Sequence, residues 1–130
     1  MQKIYEFLKQ SETYYLATID GNKPRVRPFG TINIFENKLY IQTGKIKNVY
    51  KQIKANPNIE ICAMFKDKWI RIEAAAVEDV RIEASESMLA AYPSLQGRYK
   101  PNDGNCTVFY LKDATAAIYS MTGAPEIIKF

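Results

Sequence analysis

Three strand-like segments near the N-terminus are joined by turns too short to contain a helix. They are Tyr14–Ile19, Pro24–Ile34 and Leu39–Thr43, rich in aromatic and β-branched residues. The first turn, Asp20–Lys23, contains glycine and asparagine, which tolerate the positive φ angles of a tight hairpin. A parallel pair needs a crossover of a dozen or more residues, so these three strands are predicted to pair antiparallel.

The remaining chain alternates between helical and strand-like patterns. Residues 2–10 predict a short helix. A second helix is predicted from Lys45 to the stop at Asn56-Pro57, and a third over Ser85–Tyr92 with Ser85 as its N-cap. Further strands are predicted at residues 59–65, 69–80, 106–111 and 116–121.

These elements predict one β-rich α+β domain over residues 1–130. The chain is too short for two independent cores. Six or so short antiparallel strands with interspersed helices match a small Greek-key barrel. Apolar residues on both faces of the strand at 69–80 favour a closed or doubly covered sheet.

The composition restricts the chemistry. The chain has no histidine, which excludes Ser-His-Asp triads, Cys-His dyads and histidine-ligated zinc. The net charge of +4 favours an anionic partner. Cys62 and Cys106 lie in apolar runs and are interpreted as buried free thiols. No apolar segment has the length of a membrane span or the pattern of a secretory signal, so a cytoplasmic protein without membrane contact is expected.

The first candidate motif is Arg25-Val26-Arg27-Pro28-Phe29. Strand alternation puts Arg25, Arg27 and Phe29 on one face, and Pro28 indicates an edge strand or a break. This face is either one wall of an anion or ring site, or a solvated basic strand face.

The second motif is Thr43-Gly44-Lys45-Ile46-Lys47-Asn48, between a strand and a predicted helix. Two lysines in the first turn conflict with the positive end of the helix dipole, and a bound anion would remove that conflict. A phosphate-binding turn is the favoured interpretation. An ordinary lysine-rich helix is the alternative, because Lys51 and Lys54 continue the positive face.

Two weaker signals remain. Trp69 and Arg71 alternate on one strand, where a tryptophan stacks on a ligand, closes a dimer interface or, more commonly, packs in a core. Arg98 and Tyr99 lie in an irregular segment that could cover the site.

In their order and spacing, these motifs resemble the pyridoxamine 5'-phosphate oxidase-like superfamily of FMN-binding split barrels, in particular its small nitroimidazole-resistance or nitroreductase-like members. The resemblance implies a split barrel and a homodimer with FMN at the interface. It also implies cofactor contacts from Arg25, Val26, Arg27 and Pro28 at the ring edge, from Gln42 and Thr43 at the ring or ribityl chain, from Lys45, Lys47 and Asn48 at the phosphate, and from Trp69 and Arg71 near the ring or the partner chain.

Three functions are compatible with these residues. The favoured one is an FMN-dependent oxidoreductase acting on a small molecule, with the electron chemistry supplied by the flavin. The second is a flavin-binding sensor or storage module without turnover. The third is a small nucleic-acid-binding barrel, which is disfavoured because Tyr14, Tyr15 and Tyr40 lie in apolar runs typical of a core.

Overall fold

A computed structural model describes all residues, 1–130, as an antiparallel sheet with three short helices. The helices are α1 (Gln2–Ser11), α2 (Asn48–Ala55) and α3 (Ile82–Ala91), and a 3-10 turn at Pro93–Leu95 follows α3. The strands are β1 (Tyr14–Asp20), β2 (Lys23–Phe29), β3 (Asn33–Phe35), β4 (Lys38–Gly44), β5 (Asn58–Phe65), β6 (Lys68–Asp79), β7 (Cys106–Tyr119) and β8 (Glu126–Lys129).

The strands pair in the order β2-β1-β5-β6-β7-β4-β3, and β8 pairs with the second half of β7. All the pairs are antiparallel, and the sheet curls without closing. The predicted split-barrel architecture with flanking helices is therefore confirmed, with eight strands instead of six. The predicted strand at 24–34 is divided at Gly30–Ile32 into β2 and β3, residues 106–119 form one long strand, and β8 was not predicted.

The main core lies between the inner face of the sheet and helices α1 and α2, whereas α3 packs in two smaller clusters. Leu16, Ile61, Ile70 and Ile72 are fully buried there. The apolar face of α1, formed by Ile4, Phe7 and Leu8, covers one part of this core. Burial of these side chains is the main force that holds the curled sheet together. No helix of the structure is long and apolar enough to cross a membrane.

Two core assignments were wrong because a strand alternates between faces. Tyr15 and Cys62 lie opposite each other on β1 and β5 and are both exposed, whereas their neighbours Leu16 and Ile61 are buried. Cys106 is buried, as predicted. Tyr14 and Tyr40 are also buried, so they offer no stacking surface to a nucleic acid.

Two predicted helix starts were also wrong. Helix α2 begins at Asn48 with Lys47 as its N-cap, and Ile46, which was assigned to the buried face, is 79% exposed. Lys47 has an extended backbone, so the residues before it lie outside the helix, and the main-chain N–H of Lys45 donates instead to the carbonyl of Asn105 at 2.8 Å. Helix α3 begins at Ile82 with Arg81 as its N-cap, so Ser85 lies inside it. The end of α2 before Asn56-Pro57 is as predicted.

Candidate functional site

A groove runs between the β1–β2 hairpin, the start of α2 and the segment that follows α3. Its wide end is a cavity of about 670 Å³ and its narrow end one of about 340 Å³. Arg27, Lys47 and Val49 line both cavities. The two cavities therefore form one continuous groove, and we call it the basic groove.

The register of β2 against β1 explains why two arginines face this groove. Arg25 lies opposite Thr18 and Arg27 lies opposite Leu16, and both partners point to the inner face of the sheet. Phe29 shares that face and packs on Tyr14 with 5.9 Å between the ring centroids. The predicted alternation is thus confirmed, as is the edge position, because β2 is the first strand of the sheet.

The wide end carries an excess of positive charge. Four cations line it, Arg25, Arg27, Lys47 and Lys51, and the one acidic residue is Asp20. Asp20 pairs with Arg25 at 3.1 Å, and the other three cations form no ion pair. Burial, and secondarily the charge of Arg25, lower the pKa of Arg27, as expected for a partly desolvated cation beside another. This end of the groove favours an anion.

The start of α2 adds main-chain donors at the same place. Lys47 is the N-cap, no side chain caps the helix, and the first turn contains no acidic residue. The first N–H groups of a helix have no partner within the helix, and together with the dipole they attract anions. Asn48, the first helical residue, lines the wide end beside them.

The narrow end combines polar and aromatic groups. Gln42 and Thr43 of β4 line one side. The other side is lined by five residues of the segment after α3: Tyr92, Ser94, Leu95, Arg98 and Tyr99. Thr43 is 3% exposed, and its Oγ1 is a buried polar side-chain atom without a hydrogen-bond partner. Such an atom costs about 1–3 kcal/mol when it stays unpaired. It is therefore a ready contact for a polar ligand atom.

Gly44 keeps the wall of the narrow end compact. A Cβ atom there would lie 3.0 Å from Oδ1 of Asn105 and 3.2 Å from the hydroxyl of Tyr99. Glycine therefore allows β4 to approach the segment that carries Tyr99. A larger residue requires the side chains of Asn105 and Tyr99 to shift.

The structure brings most of the predicted site residues together. Arg25, Arg27, Pro28, Gln42, Thr43, Lys47 and Asn48 line the basic groove. Lys45 instead lines a separate cavity of about 100 Å³ beside Cys106. Val26, Trp69 and Arg71 lie on the outer face of the sheet, away from the groove.

The outer face has contacts of its own. Val26 is 68% exposed and lies opposite Ala17, whose neighbours Leu16 and Thr18 point inward. The ring of Trp69 stacks on Tyr119 with 5.3 Å between the centroids, and Arg71 pairs with Glu60 at 3.0 Å.

Several residues that line the groove or contact its lining were not predicted from the sequence. Thr18 and Gln52 contact Arg27, and Lys51 lines the wide end. Part of this set could have been predicted, because residues at the spacing of one helix face lie on the same side of α2. These residues are Asn48, Lys51, Gln52 and Ala55. The segment after α3 that lines the narrow end had no comparable sequence pattern, and only its residues Arg98 and Tyr99 were predicted to lie near the site.

The same fold and sequence pattern occur in known proteins. A family model described as pyridoxamine 5'-phosphate oxidase matches residues 1–116. The chain belongs to the pyridoxamine 5'-phosphate oxidase family. This confirms the resemblance on which the site assignments were based.

Two solved structures are similar over almost the whole chain. A NimC/NimA family protein from Clostridium acetobutylicum is 39% identical with a TM-score of 0.96, over 100% of this chain and 93% of that one. General Stress Protein 26 from Bacillus anthracis is 20% identical with a TM-score of 0.76, over 99% and 97% of the two chains, and shows the shared fold. No curated protein sequence matches the chain at a significant level.

Proposed function

We propose that the protein binds FMN in the basic groove and acts as a flavin-dependent oxidoreductase on a small molecule. Members of the pyridoxamine 5'-phosphate oxidase family commonly bind FMN. The proposal rests on the combination of two features in one groove. Arg27, Lys47 and Lys51 line the wide end without an ion pair, and the buried hydroxyl of Thr43 at the narrow end has no hydrogen-bond partner.

The wide end suits the phosphate. Arg27 and Lys47 supply charge that no carboxylate of the protein neutralises, and the start of α2 supplies free main-chain donors. Asn48 adds a neutral polar side chain. A phosphate dianion is therefore the ligand group that this end accommodates best.

The narrow end suits a flat ring with polar edges. Gln42 and the Oγ1 of Thr43 offer hydrogen-bonding groups, and Pro28 and Tyr99 offer apolar and aromatic surface. When bound, FMN supplies the electron transfer. The residues of the chain hold and orient the flavin. Arg27 lines both ends of the groove, and its positive charge favours negative charge on the ligand.

We further propose a homodimer formed through the outer face of the sheet. The register aligns Pro28, Tyr15, Cys62, Arg71, Ala117 and Ile127 in one row across six strands. Tyr15, Met64 and Ile127 are exposed apolar side chains of this face. Because Pro28 also lines the groove, a second copy on this face would border the cofactor. Trp69 and Arg71 would then lie at the interface.

Two neighbouring lysines provide a matched test of the phosphate site. Lys47 lines the basic groove and Lys45 lines the separate small cavity. Titration of FMN into the apoprotein, followed by flavin fluorescence, should show weaker binding in Lys47→Gln by about ten- to hundredfold. Lys45→Gln removes the same charge two residues away and should bind FMN like the wild type. Equal losses in the two variants would contradict the proposed phosphate site.

Turnover separates an enzyme from a binding module. The FMN-loaded protein is mixed with NADH or NADPH, and the flavin absorbance is followed before and after addition of a quinone or nitroaromatic acceptor. Bleaching followed by recovery over many cycles supports the oxidoreductase. A flavin that binds tightly but is reduced by neither donor would identify a binding module instead.

A further inference from the structure

The guanidinium group of Arg27 is held by uncharged acceptors alone. Its Nη1 donates to Oγ1 of Thr18 at 2.7 Å and to the main-chain oxygen of Leu16 at 3.2 Å. Its Nη2 donates to Oε1 of Gln52 at 2.6 Å. These contacts fix the direction of the side chain without neutralising its charge.

Gln52 and Thr18 are themselves locked together. The hydroxyl of Thr18 donates to Oε1 of Gln52 at 2.6 Å, so this one amide oxygen accepts from two residues. The amide nitrogen at that position would face two donors, which determines the orientation of the Gln52 side chain. Thr18 is buried on β1 and Gln52 comes from α2, so the arrangement joins the sheet to the helix.

The remaining donors of Arg27 are free for a ligand. A guanidinium has five N–H groups, and the three hydrogen bonds use both on Nη1 and one on Nη2. The Nε–H group and the second Nη2–H group have no acceptor in the protein. Since Arg27 lines both ends of the groove, these donors lie where a bound anion is proposed.

A carboxylate in place of the Gln52 amide would have the opposite effect. It would pair with Arg27 as a charge-assisted hydrogen bond and stabilise the fold while cancelling the charge that faces the groove. The other charges near Arg27 are cations, Arg25, Lys47 and Lys51, apart from Asp20, which is paired with Arg25. A neutral acceptor is therefore what keeps this side of the groove positive.

We propose that Gln52 and Thr18 are positioning residues that hold Arg27 as an uncompensated cation for an anionic group of the ligand. This inference rests on the proposed function, in which that group is the phosphate of FMN. It adds two residues, Gln52 in the lining of the wide end and Thr18 on β1, that act through Arg27 to determine how strongly the groove binds an anion.

Gln52→Glu tests the proposal because the two side chains have nearly the same size. We expect its affinity for FMN to fall by about ten- to hundredfold. Affinity for riboflavin, which lacks the phosphate, should change by less than about twofold because neutral contacts are kept. The melting temperature of the apoprotein should stay the same or rise. Gln10→Glu adds the same charge on the exposed surface of α1 and should leave both affinities unchanged.

Gln52→Met separates charge from geometry, since it removes the acceptor without adding a carboxylate. Its loss of FMN affinity should be smaller than that of Gln52→Glu. Unchanged FMN binding in Gln52→Glu overturns the proposal, as do equal losses of FMN and riboflavin, or equal losses in the two variants.

Inorganic pyrophosphate tests the same residues without a flavin. Wild-type protein that binds pyrophosphate but not FMN, with weaker pyrophosphate binding in Gln52→Glu, would support the positioning role and refute the proposed function. Wild-type protein that binds FMN, with pyrophosphate and FMN affinities unaltered in Gln52→Glu, would refute the positioning role alone.

Discussion

The hydroxyl of Tyr40 donates a hydrogen bond of 2.8 Å to a carboxylate oxygen of Asp79, and the bond connects β4 to the end of β6. The guanidinium of Arg81 donates to both oxygens of the same carboxylate, at 3.0 and 2.8 Å. Asp79 is buried, so the three groups form a fixed network next to the start of α3. This network fixes the start of α3, the helix that leads into the segment lining the narrow end of the groove.

We predict that stability depends on this carboxylate in a defined pH range. Hydrogen bonds from Arg81 and Tyr40 hold the pKa of Asp79 well below its usual range. A depressed carboxyl pKa stabilises the fold above the unfolded-state value of about 3.9, and this contribution is lost as pH falls towards the folded-state value. Asp79→Asn should therefore lower the free energy of unfolding by about 2–3 kcal/mol at pH 7.

Urea unfolding of wild type and Asp79→Asn from pH 7 to pH 2 measures this effect. The difference between the two proteins should stay constant down to about pH 5 and narrow below pH 4. A difference that does not change between pH 7 and pH 2 would contradict the role of the ionised carboxylate.

Thr43→Val should separate folding from cofactor binding. The substitution keeps the shape of the side chain and removes the unpartnered buried hydroxyl, so we expect the apoprotein to gain about 1 kcal/mol of stability. FMN affinity should fall, because a polar contact at the narrow end is lost. Denaturant unfolding and FMN titration measure the two effects.

Thr31→Val is the matched control for this substitution. The Oγ1 of Thr31 already accepts a hydrogen bond from the main-chain N–H of Gln42 at 3.2 Å. Its removal should therefore destabilise the apoprotein. If Thr43→Val loses as much stability as Thr31→Val, the Thr43 hydroxyl makes a stabilising hydrogen bond in the apoprotein, which would contradict this prediction.

Gly44→Ala should destabilise the fold through a steric clash at the narrow end. The added Cβ would meet Asn105 and the hydroxyl of Tyr99, and overpacking of this kind costs about 1–3 kcal/mol. Gly97→Ala, in a position with no atom within 4 Å of the added Cβ, should cost much less. The free energy of unfolding of each variant is measured against the wild type, and equal losses in the two variants would contradict the close approach at Gly44.

Val26→Glu should disrupt the proposed dimer. It places a carboxylate on the outer face of the sheet and should raise the dimer dissociation constant by about a hundredfold. Val80→Glu is the control, because Val80 is also highly exposed but follows β6 at its end. Light scattering coupled to size exclusion gives the masses. A monomeric wild type, or a Val26→Glu protein that remains dimeric, would contradict the proposed interface.

Local sequence signals predicted the parts of the fold that local interactions determine. The Asp20–Lys23 hairpin and the helix stop at Asn56-Pro57 depend on turn and proline geometry, and both are as predicted. The inward face of β2 followed from alternation, so Arg25 and Arg27 were placed correctly on one face. Much of the groove could be derived from such patterns.

Contacts between distant segments determined what the sequence did not reveal. The predicted start of α2 was wrong, and the segment before the helix is bound by Asn105, about 60 residues away, which accepts from the N–H groups of Lys45 and Ile46. The outward direction of Cys62 depends on which face of β5 the other elements cover. Likewise, the Gln52 contact with Arg27 exists because α2 packs over the β1–β2 hairpin, which no local pattern reports.

The most direct measurement of the central claim compares the dissociation constants of FMN and riboflavin for the wild-type apoprotein under one salt condition. Riboflavin differs from FMN only by the phosphate, so the ratio isolates the contribution of the basic end of the groove. We predict that FMN binds at least about a hundredfold more tightly, since several charge-assisted hydrogen bonds act on the phosphate. Equal affinities for the two flavins would contradict the account.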